Sequence, residues 1–339
     1  MVQVMDYDAG GYDYRTFWHG RDFEHRTETR LLERLLGEAG PVDWFVDLGG
    51  GFGRNVPVYQ RFARHVVLVD YSLTNLRAAA RTLVPGDGRL ELVRADVYRL
   101  PFRDNAFDGA ACIRLLHHLT DLDAALAEMS RVVDGRWILD VPIRHHLLAR
   151  LRALRGGAPD GADPREPLLL GSPECPYWNF HLGQVRDTLG ELGLRTEVAA
   201  SVHNLRRWER AVAGPRSRAA AMPVMRLLES FLQRAGRGWW GPSQFLTASP
   251  AQAPATTPAT TRATAPATAP APARAAGFLD LLACPDCRGR LVLGLDGGSG
   301  EATACCRECG AGFAREGGIW DFTRAIARPS CAAGARRPV

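Results

Sequence analysis

Apolar residues in the first 141 positions gather in short runs that end in acids. Trp44-Phe45-Val46-Asp47-Leu48, His65-Val66-Val67-Leu68-Val69-Asp70 and Leu90-Glu91-Leu92-Val93-Arg94-Ala95-Asp96 each read as a buried strand closing near a carboxylate. A fourth run covers 105–113 and a fifth Trp137-Ile138-Leu139-Asp140-Val141, with a hairpin expected at 132–136. Upstream, Leu31, Leu32, Leu35 and Leu36 share one helical face, and Gly40-Pro41 ends that helix. This alternation predicts an α/β protein built on a doubly wound sheet. After Pro142 the pattern loosens into a basic helix-like stretch (144–155) and a Gly/Pro-rich loop (156–176). A helix over 183–193 follows, with Val185, Leu189 and Leu192 on one side. Strands are expected at 195–199 and 243–247, separated by an arginine-rich helical cap at 203–237.

The first strand passes straight into Gly49-Gly50-Gly51-Phe52-Gly53-Arg54. Glycine suits such a turn because its backbone must take φ > 0 and let a ligand approach with no Cβ in the way. The dinucleotide pattern GxGxxG would need a glycine at 54, where this chain has Arg54. Asp70, at the end of the second strand, lies across the crevice of a doubly wound sheet and can accept two hydrogen bonds from a ribose diol. Taken alone, that acid suits a nicotinamide cofactor equally well.

The DxGxGxG turn, Asp70, Asp96, and the segment Phe107-Asp108 through Ile113 to Leu115-Leu116-His117-His118-Leu119 together resemble class I S-adenosylmethionine-dependent methyltransferases of the type-11 group. The resemblance covers roughly 44–141 and implies a seven-stranded Rossmann-like sheet. It also implies that Asp47, Gly49, Gly51 and Gly53 meet the amino-acid part of S-adenosyl-L-methionine, Asp70 the ribose, and Asp96 with Val97 the adenine. Arg114 would face the reaction site. His117 and His118 are candidates for a general base, set against capping or packing roles. Tyr14, Phe17 and Trp18 would lie over the cofactor mouth or simply pack the N-terminal helix. The fourth strand lacks the Asn/Asp-Pro-Pro-Tyr motif of relatives that methylate an amide or exocyclic amine, which argues against glutamine or adenine N6 as acceptor. A nicotinamide oxidoreductase and a non-catalytic cofactor-binding scaffold are the rival readings.

From Ser249 to about Ala276 the chain is almost entirely Pro, Ala and Thr, the composition of a flexible linker. Beyond it, Cys284-Pro285-Asp286-Cys287 and Cys306-Arg307-Glu308-Cys309 form two CxxC knuckles 18 residues apart, the spacing of a four-thiolate zinc ribbon. Cys305 adjoins the second knuckle, whose geometry favours Cys306 as ligand. With Phe278 to Pro285, Gly310 to Phe313 and Gly317-Gly318-Ile319-Trp320-Asp321-Phe322, the segment resembles the small zinc-ribbon activators of methyltransferases. That resemblance implies docking on the catalytic domain by strand pairing, and an RNA or translation-protein acceptor; an independent nucleic-acid-binding ribbon is the alternative. The expected organisation is a methyltransferase domain at 1–248 with basic inserts at 142–181 and 203–240. A linker at 249–276, a ribbon at 277–322 and a basic tail at 323–339 follow.

Charge adds one contrast. Residues 1–141 hold 17 Arg against 21 acids (−4), 142–248 hold 15 against 9 (+6), and 249–339 hold 10 against 7 (+3), giving the net +5. A basic insert suits an anionic partner or an ordinary solvated face. All 42 basic residues are arginine, which excludes a Walker-type phosphate lysine and Schiff-base chemistry. No run approaches the length of a membrane span, and no signal-like start is present, so a cytoplasmic protein with no membrane partner is expected. The sequence leaves the methyl acceptor, a small metabolite or an RNA or translation component, undecided.

Overall fold

A computed structural model describes residues 8, 14–83, 88–152, 165–172, 175–206, 215–251, 277–295 and 302–326. A 3-10 turn (Tyr14–Trp18) leads into α1 (Asp22–Ala39), which buries the predicted leucine face and ends at Gly40. Then come β1 (Val42–Leu48), α2 (Val56–Tyr59), β2 (Ala63–Asp70), α3 (Leu73–Thr82), β3 (Leu90–Arg94), β4 (Phe107–Cys112), α4 (Leu122–Val132) and β5 (Val133–Pro142). The next segment holds α5 (Leu147–Arg152), β6 (Leu168–Ser172), β7 (Cys175–Asn179), α6 (Leu182–Glu191), β8 (Leu194–Val202), α7 (Pro215–Ala235) and β9 (Ser243–Pro250). The C-terminal part adds β10 (Leu291–Leu295), β11 (Ala302–Cys306), β12 (Gly312–Glu316) and β13 (Ile319–Ile326).

Seven strands in the order β3-β2-β1-β4-β5-β9-β8 make the Rossmann-like sheet; β1 to β5 are parallel and β9 runs antiparallel to both neighbours. The apolar runs supply its centre: Val46, Val66, Val67, Leu68 and Val93 are fully buried, as parallel strands covered on both faces must be. Chain order reverses on either side of β1, so the crevice for a ligand opens beyond the carboxyl ends of β1 and β4.

Two expectations are corrected. The hairpin at 132–136 is absent, because α4 runs directly into β5. Gly135 sits inside that strand, and a Cβ there would lie 1.6 Å from the Asp108 carbonyl oxygen, so the glycine permits close strand approach instead of a turn. Within the expected loop at 156–176, β6 pairs with β7 in a separate two-stranded ribbon; the apolar Leu168–Leu170 run that enables it lies between prolines that signalled a loop.

The sheet does not stop at β3. β13 pairs with it in parallel, Ile319 opposite Leu92, Trp320 opposite Val93 and Asp321 opposite Arg94, so β10 to β13 extend the sheet to eleven strands. β13 continues to Ile326, four residues past the expected ribbon boundary, and β9 reaches Pro250 inside the expected linker. Residues 252–276 and 327–339 lie outside the described residues. The seam is apolar: Phe278, Leu281, Leu282, Trp320 and Phe322 join the cluster that contains Leu100, Phe102 and Phe107. Arg103 N–H donates to Leu281 O (2.8 Å) and Ala283 N–H to Pro101 O (3.0 Å). Arg288 adds two hydrogen bonds to Glu128, at 2.8 and 2.9 Å. Each buried Leu or Phe contributes roughly 1.5–3 kcal/mol in gross terms, whereas a partly solvated ion pair contributes about 1 kcal/mol. Apolar burial therefore dominates this junction.

Candidate functional site

The glycine turn takes the predicted shape, with φ near +67°, +60° and +76° at Gly49, Gly51 and Gly53. Gly51 faces the cleft: a Cβ there would stand 3.4 Å from the Tyr14 ring, narrowing the space a ligand needs. Its N–H donates to Asp70 Oδ2 (2.7 Å), while Ser72 N–H donates to Oδ1 (2.9 Å). Asp70 is thus aimed at the turn by two backbone donors. Ser72 caps α3, its Oγ accepting from Asn75 N–H (3.1 Å). Asp8 completes the cap by accepting from Ser72 Oγ (2.7 Å), Leu73 N–H (2.9 Å) and Thr74 N–H (3.1 Å).

The resulting cleft encloses about 780 Å³, open solvent at its mouth included. Of the residues predicted from sequence, Gly49, Gly51, Asp70, Val97, Arg114 and His118 line it; Asp47, Gly53, Asp96 and His117 do not. Asp96 instead stabilises its own turn by accepting from Tyr98 N–H (2.9 Å), which presents Val97 and Tyr98 to the cleft. Asp47 lies directly beneath the glycine turn, 2% exposed, and its Oδ2 has no hydrogen-bond partner. Burial pushes this carboxyl up to about 8 against the attraction of Arg54.

Arg114 lines the cleft but is committed elsewhere. It takes φ +61° and turns its guanidinium to Glu24 (2.6 Å) and Glu28 (3.3 Å) on α1. Arg54 also pairs with Glu28, and His203, at φ +60°, lies 3.2 Å from Glu24. Burial opposes ionisation of both glutamates, yet the surrounding cations hold Glu24 far below the usual carboxylate range and Glu28 down to about 2. His203 is raised despite burial, by Asp140 and Glu24. This charged group was not predicted, although Glu24 and Glu28 stand one helical turn apart and Arg54 follows the glycine turn. It ties the N-terminal helix over the crevice.

The two histidine candidates pack against each other, ring centroids 3.9 Å apart. Burial lowers His118 to about 4 and, with His118 and Arg114 nearby, also lowers His117. Both are neutral at pH 7 and hold a proton weakly, which makes either a poor general base.

Tyr14, Tyr71, Asn75, Tyr98 and Leu115 also line the cleft without having been predicted, apart from Tyr14 among the aromatic residues over its mouth. The parts suit a nucleoside cofactor: a backbone cradle at Gly51, an oriented carboxylate at Asp70, and apolar walls at Val97 and Leu119. Arg94, buried at the end of β3, links a cleft residue to the C-terminal unit. It donates to Tyr71 O (2.9 Å), to Asp321 of the C-terminal unit (3.0 Å) and to Asp8 (3.4 Å).

A second constellation lies far from the cleft residues in sequence. The sulfurs of Cys284, Cys287, Cys306 and Cys309 all fall within 4.8 Å of one another, with Cys284–Cys309 at 3.7 Å and Cys287–Cys306 at 3.4 Å. Four thiols so converged fit a tetrahedral ion with sulfur ligands. Cys305 is taken up in a disulfide.

Residues 46–136 match the family described as a methyltransferase domain. The chain is 33% identical to a demethylmenaquinone methyltransferase of Corynebacterium urealyticum over 132 residues, covering 37% of this chain and 52% of that protein. It is 35% identical to a ubiquinone/menaquinone biosynthesis C-methyltransferase of Teredinibacter turnerae over 114 residues, covering 32% and 45% respectively. The chain thus spans about half the length of these curated relatives. Among solved structures it is similar to a complex between the Haloferax volcanii Trm112 methyltransferase activator and a methyltransferase. That match has 16% identity, covers 74% of this chain and 99% of that chain, and has a TM-score of 0.47. Among the described residues no helix is long and apolar enough to cross a membrane.

Proposed function

We propose that this chain is an S-adenosylmethionine-dependent methyltransferase whose C-terminal cysteine unit holds zinc and stabilises the catalytic sheet from within the same chain. The observation that carries the reading is the Gly51–Asp70 pair at the sheet's switch point, with the glycine amide already bonded to the acid at the floor of the cleft. When bound, the cofactor supplies an electrophilic methyl group. Asp70, already aimed at the turn by two backbone donors, would accept the ribose hydroxyls. Asp47, buried beneath the turn and outside the cleft lining, would act on the cofactor's amino group through the glycine backbone or a bridging water. Val97 and Leu119 line the cleft and would cover the purine.

Positioning and desolvation dominate such a reaction, and neither weakly basic histidine is required as a base. The names of the two curated relatives favour a small aromatic acceptor of quinone type over RNA. A nicotinamide oxidoreductase is the weaker reading, because Arg54 stands where the third glycine of a dinucleotide turn would be, its side chain bound to Glu28. Calorimetry with S-adenosylmethionine, its demethylated product and NAD tests the site: the first two bind in the micromolar range and NAD does not. Incubation with methyl-tritiated cofactor and either a demethylated quinol or bulk tRNA then tests the acceptor class, and label in tRNA alone would reject the quinone-type reading.

A further inference from the structure

Ten large apolar side chains are exposed among the described residues, and eight of them lie between β5 and β9. The densest group is on α7. Val224, Leu227, Leu228 and Phe231 follow one another at helical spacing and are 67, 74, 40 and 64% exposed. They are not needed to hold the helix in place. Its opposite face does that: Met225 packs with Phe23 and Leu205, and the buried Glu229 accepts from Asn204 Nδ2 (2.9 Å) and Leu205 N–H (3.1 Å). A helix apolar on both faces, with one face in water, calls for a covering surface.

The surroundings state its chemistry. Arg234 and Arg237 are exposed at the end of the stripe, and the one acid among the described side chains of α7 is the buried Glu229. Trp239 follows, half-exposed, and its carbonyl accepts from Leu147 N–H (2.7 Å), joining the start of α5, which exposes Leu151. An apolar ridge with arginines and an indole at its border, in a segment of net charge +6, is the makeup of a helix that lies in a membrane interface. A second copy fits less well, since the described side chains of its own α7 carry the same arginines and no exposed acid to meet them. An anionic lipid surface takes the apolar ridge and the cations together.

We propose that α7, with Trp239 and the exposed side of α5, lies on the surface of an anionic phospholipid bilayer. The helix rests in the interface plane without crossing it, in keeping with its lack of a spanning run. This departs from the expectation of no membrane partner, which rested on the absence of a span. The inference stands apart from methyl transfer, because its test reads binding alone.

The full chain is sedimented with vesicles of phosphatidylglycerol and phosphatidylcholine in equal parts and with vesicles of phosphatidylcholine only. Binding to the mixed vesicles is expected to be at least about tenfold stronger and to weaken with salt. Leu227→Glu with Phe231→Glu lowers it about a hundredfold, and Arg234→Gln with Arg237→Gln roughly tenfold. Because these side chains are exposed, each variant should melt within about 2 °C of the parent. The comparison of the two vesicle types needs no variant and stands even if one fails to fold. Failure of the parent chain to sediment with the mixed vesicles overturns the proposal, as does unchanged binding by L227E/F231E. Conversion of a dimer to a monomer by L227E/F231E in light scattering also overturns it, since a second copy would then be the occupant.

Discussion

At the β3 side of the sheet, β13 supplies backbone partners, Trp320 and Phe322 are buried against the seven-stranded core, and Arg288 meets Glu128. Toward β9 and β8, the inserted helices leave leucines and a phenylalanine in water. Both regions flank the same sheet, and both carry apolar side chains beyond what the seven-stranded core requires. The difference is in what covers them. An open strand edge exposes unpaired amides and carbonyls and invites unwanted pairing, so a segment of the same chain that closes it is protective. An apolar helix face makes no such backbone demand and can wait for a partner outside the chain. The ribbon side is thus a structural junction and the α7 side a contact surface.

The largest test breaks the ribbon side. Cys306→Ser should abolish zinc retention and unravel the knuckles, lowering stability by several kcal/mol, because metal binding and folding are coupled in so small a unit. Cys305→Ser should keep the metal, since Cys305 is not among the four converged sulfurs. Elemental analysis and thermal melts read both, and retention of zinc by the first variant would overturn the ligand assignment. Asp70→Ala comes next. Loss of a charged acceptor of roughly 1.5–3 kcal/mol should weaken cofactor binding while the C-terminal cysteine unit stays folded. Equal calorimetric affinity in that variant would sink the assigned crevice. A smaller effect is expected from Arg288→Ala, which removes one of two cations facing Glu128. Arg288 is 42% exposed and Arg131 still pairs with the glutamate, so the cost is about 1 kcal/mol or less. A loss several times larger in urea unfolding would mean that the ion pair, and not the apolar seam, holds the junction.

Legibility in the sequence followed the physics of each feature. The glycine turn and cysteine knuckles were readable because a local backbone demand or ligand spacing writes them in consecutive residues. Asp70 was readable because it ends an apolar run. Tyr98 and Asn75 were not: each reaches the cleft because a neighbouring turn or cap aims it, and nothing in its immediate sequence marks that. The group formed by Glu24, Glu28, Arg54, Arg114 and His203 is the clearest case. Two acids four residues apart on a helix look like a solvated face until a histidine far along the chain closes over them. Gly135 misled for the opposite reason, since a glycine that signals a turn also serves where two strands approach too closely for a Cβ.

The last test separates the cost of the site from the stability of its scaffold. Asp47 is buried, its folded carboxyl is pushed up to about 8, and one oxygen lacks a partner. Between the usual carboxylate range and that value the folded chain binds more protons here than the unfolded chain. The slope of stability with pH from this group is therefore negative: its contribution is fully present in acid, declines as pH rises toward 8, and is level above. Asp47→Asn keeps the shape and removes the titration. The variant should lose that part of the slope and melt a few degrees higher than the parent at pH 7, while binding the cofactor more weakly. Opposite movement of stability and affinity is the signature of a group kept for a ligand at the expense of the fold. If the asparagine variant melts lower at pH 7, the acid is already ionised and well paired in the ligand-free protein, and Asp47 belongs with the structural ion pairs of the ribbon side, not with the cofactor cleft.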